Sequence, residues 1–210
     1  MNDSSTAPVA NEDVAWASIE TPLDVDELKL FCQDIERLFR INPMLIFKDW
    51  QANKEDGFQF SGQNISQEEA FDFDLTLSIN AVTDGVQINY QQGVKSSTTF
   101  TIEAADSGSN LNSKSKLTIT ENYNGMSEQE RKENLHTVDR SLTVWAKYLQ
   151  QYFLSWQRWS RFGLWRWYMK RVWQPMKPSG RRITYMLLWI TAFEIALIIL
   201  GVAIYYIEYA

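Results

Sequence analysis

From residue 14 onward the period of the hydrophobic positions keeps changing, and each change marks a different kind of element. Val14, Trp16 and Ser18 share one face of a short strand over residues 14–20. Thr21-Pro22 ends it, because proline cannot donate to a ladder and restricts the residue before it. Asp24 and Glu27 then have capping-box spacing, and Val25, Leu28, Phe31, Cys32, Ile35, Leu38 and Phe39 recur at three and four residues. That pattern predicts one amphipathic helix to about Arg40, stopped by Asn42-Pro43.

At Leu45 the period becomes two. Strands are expected over residues 45–51 and 57–62, and Phe71, Phe73, Leu75, Leu77 and Ile79 then alternate with polar residues as a half-buried strand. Asp84-Gly85 and Gln92-Gly93 make turns before Val86, Ile88, Tyr90 and before Thr98, Phe100, Ile102. A polar loop, residues 106–110, leads to a last strand over 114–123 with Leu117 and Ile119. Loops this short predict an antiparallel meander, whose one apolar face must be covered by something else. Ser127 and Glu130 open a second capping box, and Leu135, Val138, Leu142, Trp145, Leu149, Tyr152, Trp156 and Trp159 follow at alternating spacings of three and four. A long helix with one apolar seam is expected, its first half covering the sheet. Gly163 marks a bend, and Pro175 with Pro178-Ser179-Gly180 breaks the chain.

Residues 183–207 carry one Asp, Glu, Lys, Arg or His, which is Glu194. At about 1.5 Å per residue this run is long enough to cross a bilayer core about 30 Å thick. Glu194 falls near its middle, where an ionised acid costs at least about 2.5 kcal/mol, so a partner helix or a proton is expected to meet it.

Charge divides the chain at the same place. Residues 1–140 hold 11 Lys/Arg against 24 Asp/Glu, whereas residues 141–182 hold nine basic residues and no acidic one. Five tryptophans, Trp156, Trp159, Trp165, Trp167 and Trp173, lie within that basic stretch. Rings suit the water–lipid boundary and Lys/Arg flanks mark the cytoplasmic side. Trp165, Trp167, Lys170, Arg171, Trp173, Arg181 and Arg182 are therefore expected at the membrane interface, with membrane lipid as partner and no nucleic acid. The expected organisation is a disordered leader over 1–13, a domain over 14–153, a basic aromatic collar over 154–182 and a transmembrane helix over 183–207. The leader has neither the positive nor the apolar region of a signal peptide, so the domain is expected in the cytoplasm.

Catalytic and metal chemistry find little material. Cys32 is the one cysteine and His136 the one histidine, which leaves no usual nucleophile–base pair, no zinc site and no disulfide. Gly108 and Gly125 stand alone among polar residues, so no phosphate loop is formed. Asp72 and Asp74 share the outer face of a strand, where charge is ordinary. No cofactor, metal or catalytic residue is expected.

The order strand, helix, antiparallel strands, long helix resembles the START-like helix-grip superfamily (SRPBCC), which includes polyketide cyclases, lipid-transfer domains and coenzyme-Q-binding proteins. The residues that carry the resemblance are Trp16-Ala17-Ser18-Ile19-Glu20 with Thr21-Pro22, Phe31-Cys32-Gln33-Asp34, and Ile41-Asn42-Pro43. It covers residues 14–153, and members usually end where this chain runs on into the collar. It implies an α+β fold with a curved antiparallel sheet wrapped on the long helix and an apolar cavity between them. The sheet would supply Phe58, Phe60, Phe73, Leu75, Ile88, Tyr90, Phe100 and Ile102 to that cavity, and the helix Trp145 and Leu149. The expected function is a membrane-tethered binding module for a lipid, quinone or isoprenoid. The alternative is a subunit of a membrane complex that docks through its domain and through Glu194.

Overall fold

The computed structural model describes residues 14–53, 57–105, 113–123, 129 and 140–209. The expected leader, the 106–110 loop, the Ser127–Glu130 capping box, Leu135, Val138 and His136 lie outside these residues. The chain is α+β. Seven strands form one sheet in the order β1-β7-β6-β5-β4-β3-β2, every neighbouring pair antiparallel. The strands are β1 (Val14–Thr21), β2 (Leu45–Asn53), β3 (Gly57–Asn64), β4 (Phe71–Val82), β5 (Gly85–Tyr90), β6 (Ser97–Ala104) and β7 (Ser115–Asn122). Strands β2 to β7 are the expected meander, and β1 returns to pair with β7.

Alternation decides which residues face the core. Ile88, Phe100, Leu117 and Ile119 are fully buried on the concave side, as the period-two pattern requires. In β1 the inward residues are Ala15, Ala17, Ile19 and Thr21, so Trp16 points outward and is exposed.

Between β1 and β2 the expected single helix is two: α1 (Val25–Cys32) and α2 (Ile35–Ile41). Asp24 and Glu27 do close the capping box, with Glu27 N–H donating to Asp24 Oδ1 at 2.8 Å. The break comes at Asp34, whose carboxylate accepts the Arg37 N–H at 3.1 Å and caps a new helix. Asp serves a helix end better than a helix interior, and apolar spacing cannot show this, because Phe31, Cys32 and Ile35 stay on one buried face throughout. Asn42 ends α2 and is itself fully buried. Its amide donates to Ser141 Oγ at 2.7 Å and its oxygen accepts the Met44 N–H at 3.0 Å.

Helix α3 (Leu142–Trp159) lies in the concavity of the sheet. Its buried face is Leu142, Trp145, Ala146, Leu149, Tyr152 and Phe153. Trp145 meets Phe100 edge-on at 5.5 Å and Phe39 at 5.3 Å, and its indole N–H donates to the Leu38 carbonyl at 2.9 Å. Phe153 meets Phe31 edge-on at 4.8 Å. The chain turns at Ser160–Phe162, resumes as α4 (Gly163–Tyr168), and widens into a π-helical turn, Met169–Trp173. Helix α5 (Pro178–Tyr209) then begins at the proline expected to break the chain. Pro178 suits a first helical position, where its missing N–H has no partner to lose. The 32 residues of α5 make a rod about 48 Å long. It is long and apolar enough to cross a membrane, and its apolar window is not buried against the rest of the protein.

Cys32 sits deep in this core, and burial pushes its thiol up from 9.0 to about 12. The folded state therefore holds that proton more tightly than the unfolded chain does. The corresponding stability is intact below pH 9 and is lost as pH rises toward 12. Burial raises the Tyr152 phenol above 10.0 as well, so its contribution is intact below pH 10 and is lost above it. The urea midpoint should fall through this window and fall less steeply in Cys32→Ala; parallel curves would overturn the assignment to Cys32.

Candidate functional site

The sheet does not grip α3 along its whole length. Trp145 fills the centre, and the residues around it pack as solid core. Toward the β2–β5 end the concave face carries rings instead. A bulge between Phe47 and Asp49 resets the alternation of β2, so that Phe47 and Trp50 both join this cluster. Phe60 is its hub, stacked on Trp50 at 4.7 Å and 10°. Phe39, Phe47 and Phe73 surround it at 5.4, 5.6 and 5.7 Å. Between these rings and the β5–β6 turn lies a cavity of about 290 Å³. Phe39, Leu45, Phe60, Phe73 and Leu75 form its apolar wall, and Tyr90 and Lys95 lie at its border. Gly93 in the bordering turn has φ +96, a conformation that suits glycine.

Polar residues border the cavity as well: Asn64, Asp72, Asp74, Gln92, Tyr90 and Lys95. Tyr90 Oη and Thr98 Oγ1 are 2.9 Å apart. Lys95 Nζ pairs with Glu121, which also accepts the Tyr123 hydroxyl at 2.7 Å. Glu121 is wholly buried, on the same inward face of β7 as Leu117 and Ile119. A carboxylate there is tolerable because an ammonium and a phenol meet it.

Of the ten residues expected in the cavity, Phe60, Phe73, Leu75 and Tyr90 line it. Ile88, Phe100, Ile102, Trp145 and Leu149 are instead closed into the core between the sheet and the helices, and Phe58 packs beside Trp50 at 5.5 Å. Sequence reasoning did not find Phe39, Thr98, Lys95 or Glu121. Glu121 had a signal: an acid at the next inward position after Leu117 and Ile119. No cluster of His, Cys, Asp and Glu suited to a metal occurs among the described residues.

The collar is fastened to the domain by two arginines. Arg37 donates to Tyr152 Oη at 3.0 and 2.6 Å and lies over the rings of Phe31 and Trp156 at 4.4 and 4.0 Å. Arg181 was expected at the lipid headgroups but turns into the protein. It donates to the carbonyls of Arg40, Trp173 and Gln174 at 2.6, 3.0 and 2.9 Å, with its guanidinium over the Trp173 ring. Carbonyls at helix ends lack intrahelical donors and favour a cation. Trp165 rests on Trp156 and Trp173 on Tyr152, each pair 5.5 Å apart. Trp167, Lys170, Arg171, Arg182 and Glu194 are exposed. A second concavity of about 1100 Å³ separates α3 and α4 from the first turns of α5.

No family model and no curated protein matches the sequence. Among solved structures the chain is similar to TTHA0849 from Thermus thermophilus, with TM-score 0.48 and 9% identity over 68% of this chain and 97% of that one. It is similar to the polyketide-cyclase-like protein Cgl2372 from Corynebacterium glutamicum, with TM-score 0.33 and 14% identity over 69% and 82%. It is also similar to Ara h 8.0201, with TM-score 0.36 and 19% identity over 68% and 97%. The chain's own architecture, a seven-stranded antiparallel sheet around a long helix, is the helix-grip arrangement.

Removing one member of a buried ion pair strands the other. Glu121→Leu should therefore lower stability by roughly 3 kcal/mol, and adding Lys95→Met should recover most of it. Thermal unfolding of the detergent-solubilised variants measures both. No recovery in the double variant would mean that Glu121 acts through other partners.

Proposed function

We propose that the chain is a membrane-tethered binding module for an apolar ligand (a lipid, quinone or isoprenoid) that carries one polar group. The observation behind this reading is the cavity walled by Phe39, Phe60, Phe73 and Leu75, with Tyr90 and Lys95 at its border. Its volume lies at the small end of ligand sites, enough for a ring or a length of chain. Each Å² of apolar surface transferred there from water contributes about 25 cal/mol. The Tyr90 hydroxyl or the Lys95 ammonium would receive a carbonyl, hydroxyl or phosphate oxygen.

The test is to identify what the native chain carries and then to fill the site. Mass spectrometry of an organic extract of the purified protein should find an apolar compound. Leu75→Trp, which places a ring in the cavity, should abolish that cargo and weaken binding of added quinone or phospholipid analogues at least tenfold while the fold persists. An empty wild-type cavity, together with co-purification of other spanning subunits, would favour the docking role through Glu194.

Helix α5 would hold this domain at the cytoplasmic face, because Lys170, Arg171, Lys177 and Arg182 precede the apolar run. Protease added outside intact cells should leave the domain uncut, and digestion from outside would reverse the orientation.

A further inference from the structure

The concavity between α3, α4 and α5 is separate from the ligand cavity and is built differently. One wall is aromatic, with Tyr152, Trp165, Trp167 and Trp173. The opposite wall is the anchor helix itself, which presents Arg182, Tyr185 and Leu188 at intervals of three residues. These three span about 9 Å along the axis, passing from a cation through a phenol to an aliphatic chain. That is the order, and about the depth, of the step from phospholipid headgroup to acyl chain. The groove also opens along the helix that runs on into the apolar segment, so its apolar end is continuous with the surface a bilayer would cover.

Charge selects among lipids. Residues 141–182 contain nine Lys/Arg and no Asp/Glu, so no carboxylate of this stretch competes for a phosphate. Arg181 is committed to the carbonyls of Arg40, Trp173 and Gln174, whereas its neighbour Arg182 is exposed on the groove. We propose that this groove is a site for one anionic glycerophospholipid of the surrounding bilayer. Its phosphate lies at Arg182 and one acyl chain runs between the tryptophans and Tyr185–Leu188. The site rests on the reading of α5 as a membrane anchor and is independent of what the ligand cavity holds.

The full-length chain is reconstituted into bilayers of equal phosphatidylglycerol and phosphatidylcholine, and the lipids it retains are counted by native mass spectrometry. Wild type should retain phosphatidylglycerol in preference to phosphatidylcholine. Arg182→Gln should reduce that preference about fivefold. Ser155→Trp, an exposed α3 position lining the groove, should reduce retention of both lipids. Lys170→Gln with Arg171→Gln, outside the groove lining, should reduce the preference less than Arg182→Gln does. Absence of any preference in wild type overturns the proposal. So does an equal loss in the Lys170/Arg171 variant, which would mean diffuse attraction, and so does unchanged retention in Arg182→Gln or Ser155→Trp. Alkaline carbonate extraction separates the two readings. A chain washed from the membrane overturns the anchor and this site together, and one that stays without lipid preference overturns this site alone.

Discussion

The structure depends on covering one face of one sheet. A seven-stranded antiparallel sheet with Ile88, Phe100, Leu117 and Ile119 on its concave side cannot leave that side in water, and α3 together with α1 and α2 supplies the cover. Trp145 concentrates the interaction. A single buried ring touches the sheet at Phe100 and the helical layer at Phe39, and its N–H satisfies the carbonyl of Leu38 at the end of α2. Truncating a buried ring of this size typically costs about 3–5 kcal/mol, a large share of a domain's whole stability. Asn42 works beside it, tying the α2 end to Ser141 just before α3.

The same packing places the cavity. Because Trp145 occupies the centre of the concavity, free space is displaced toward β2–β5, where flat rings meet at angles and leave a gap. A buried Lys95–Glu121 pair near that gap is weak evidence for stability, since apolar residues of equal size often serve as well. Lys95 brings a hydrogen-bonding atom to the border of the cavity. Tyr90, bonded to Thr98 and bordering the same cavity, gives that border a second hydrogen-bonding atom.

Two cations join the domain to the helix that follows. Arg37 sits among rings with a phenol oxygen as acceptor, and Arg181 among backbone carbonyls at the ends of two helical segments. A planar guanidinium with five donors suits this role better than an ammonium, because it can stack and donate at once. The consequence is a domain joined directly to the first turn of α5 by the Arg181 bond to the Arg40 carbonyl of α2.

How much of this the sequence determined follows from the range of the forces involved. Alternation along β4 and β5 and the apolar run of α5 are set by burial, which a one-dimensional pattern records, so the strands, the meander and the candidate span were legible. The Asp24–Glu27 box was legible because both partners lie within one turn. The split at Asp34 was not, because the buried face continues across it and only the cap reveals the break. Pro178 misleads for a related reason: proline breaks a helix in its interior and favours its first turn, and position in the helix is not written in the residue. Which inward-facing residues become core and which line a cavity depends on where Trp145 comes to rest, a contact between elements far apart in the chain. Arg181 and Arg182 are adjacent and chemically identical in sequence. Only the tertiary structure, by bringing the Arg40 carbonyl of α2 to one of them, made the first a fastening and left the second to face outward.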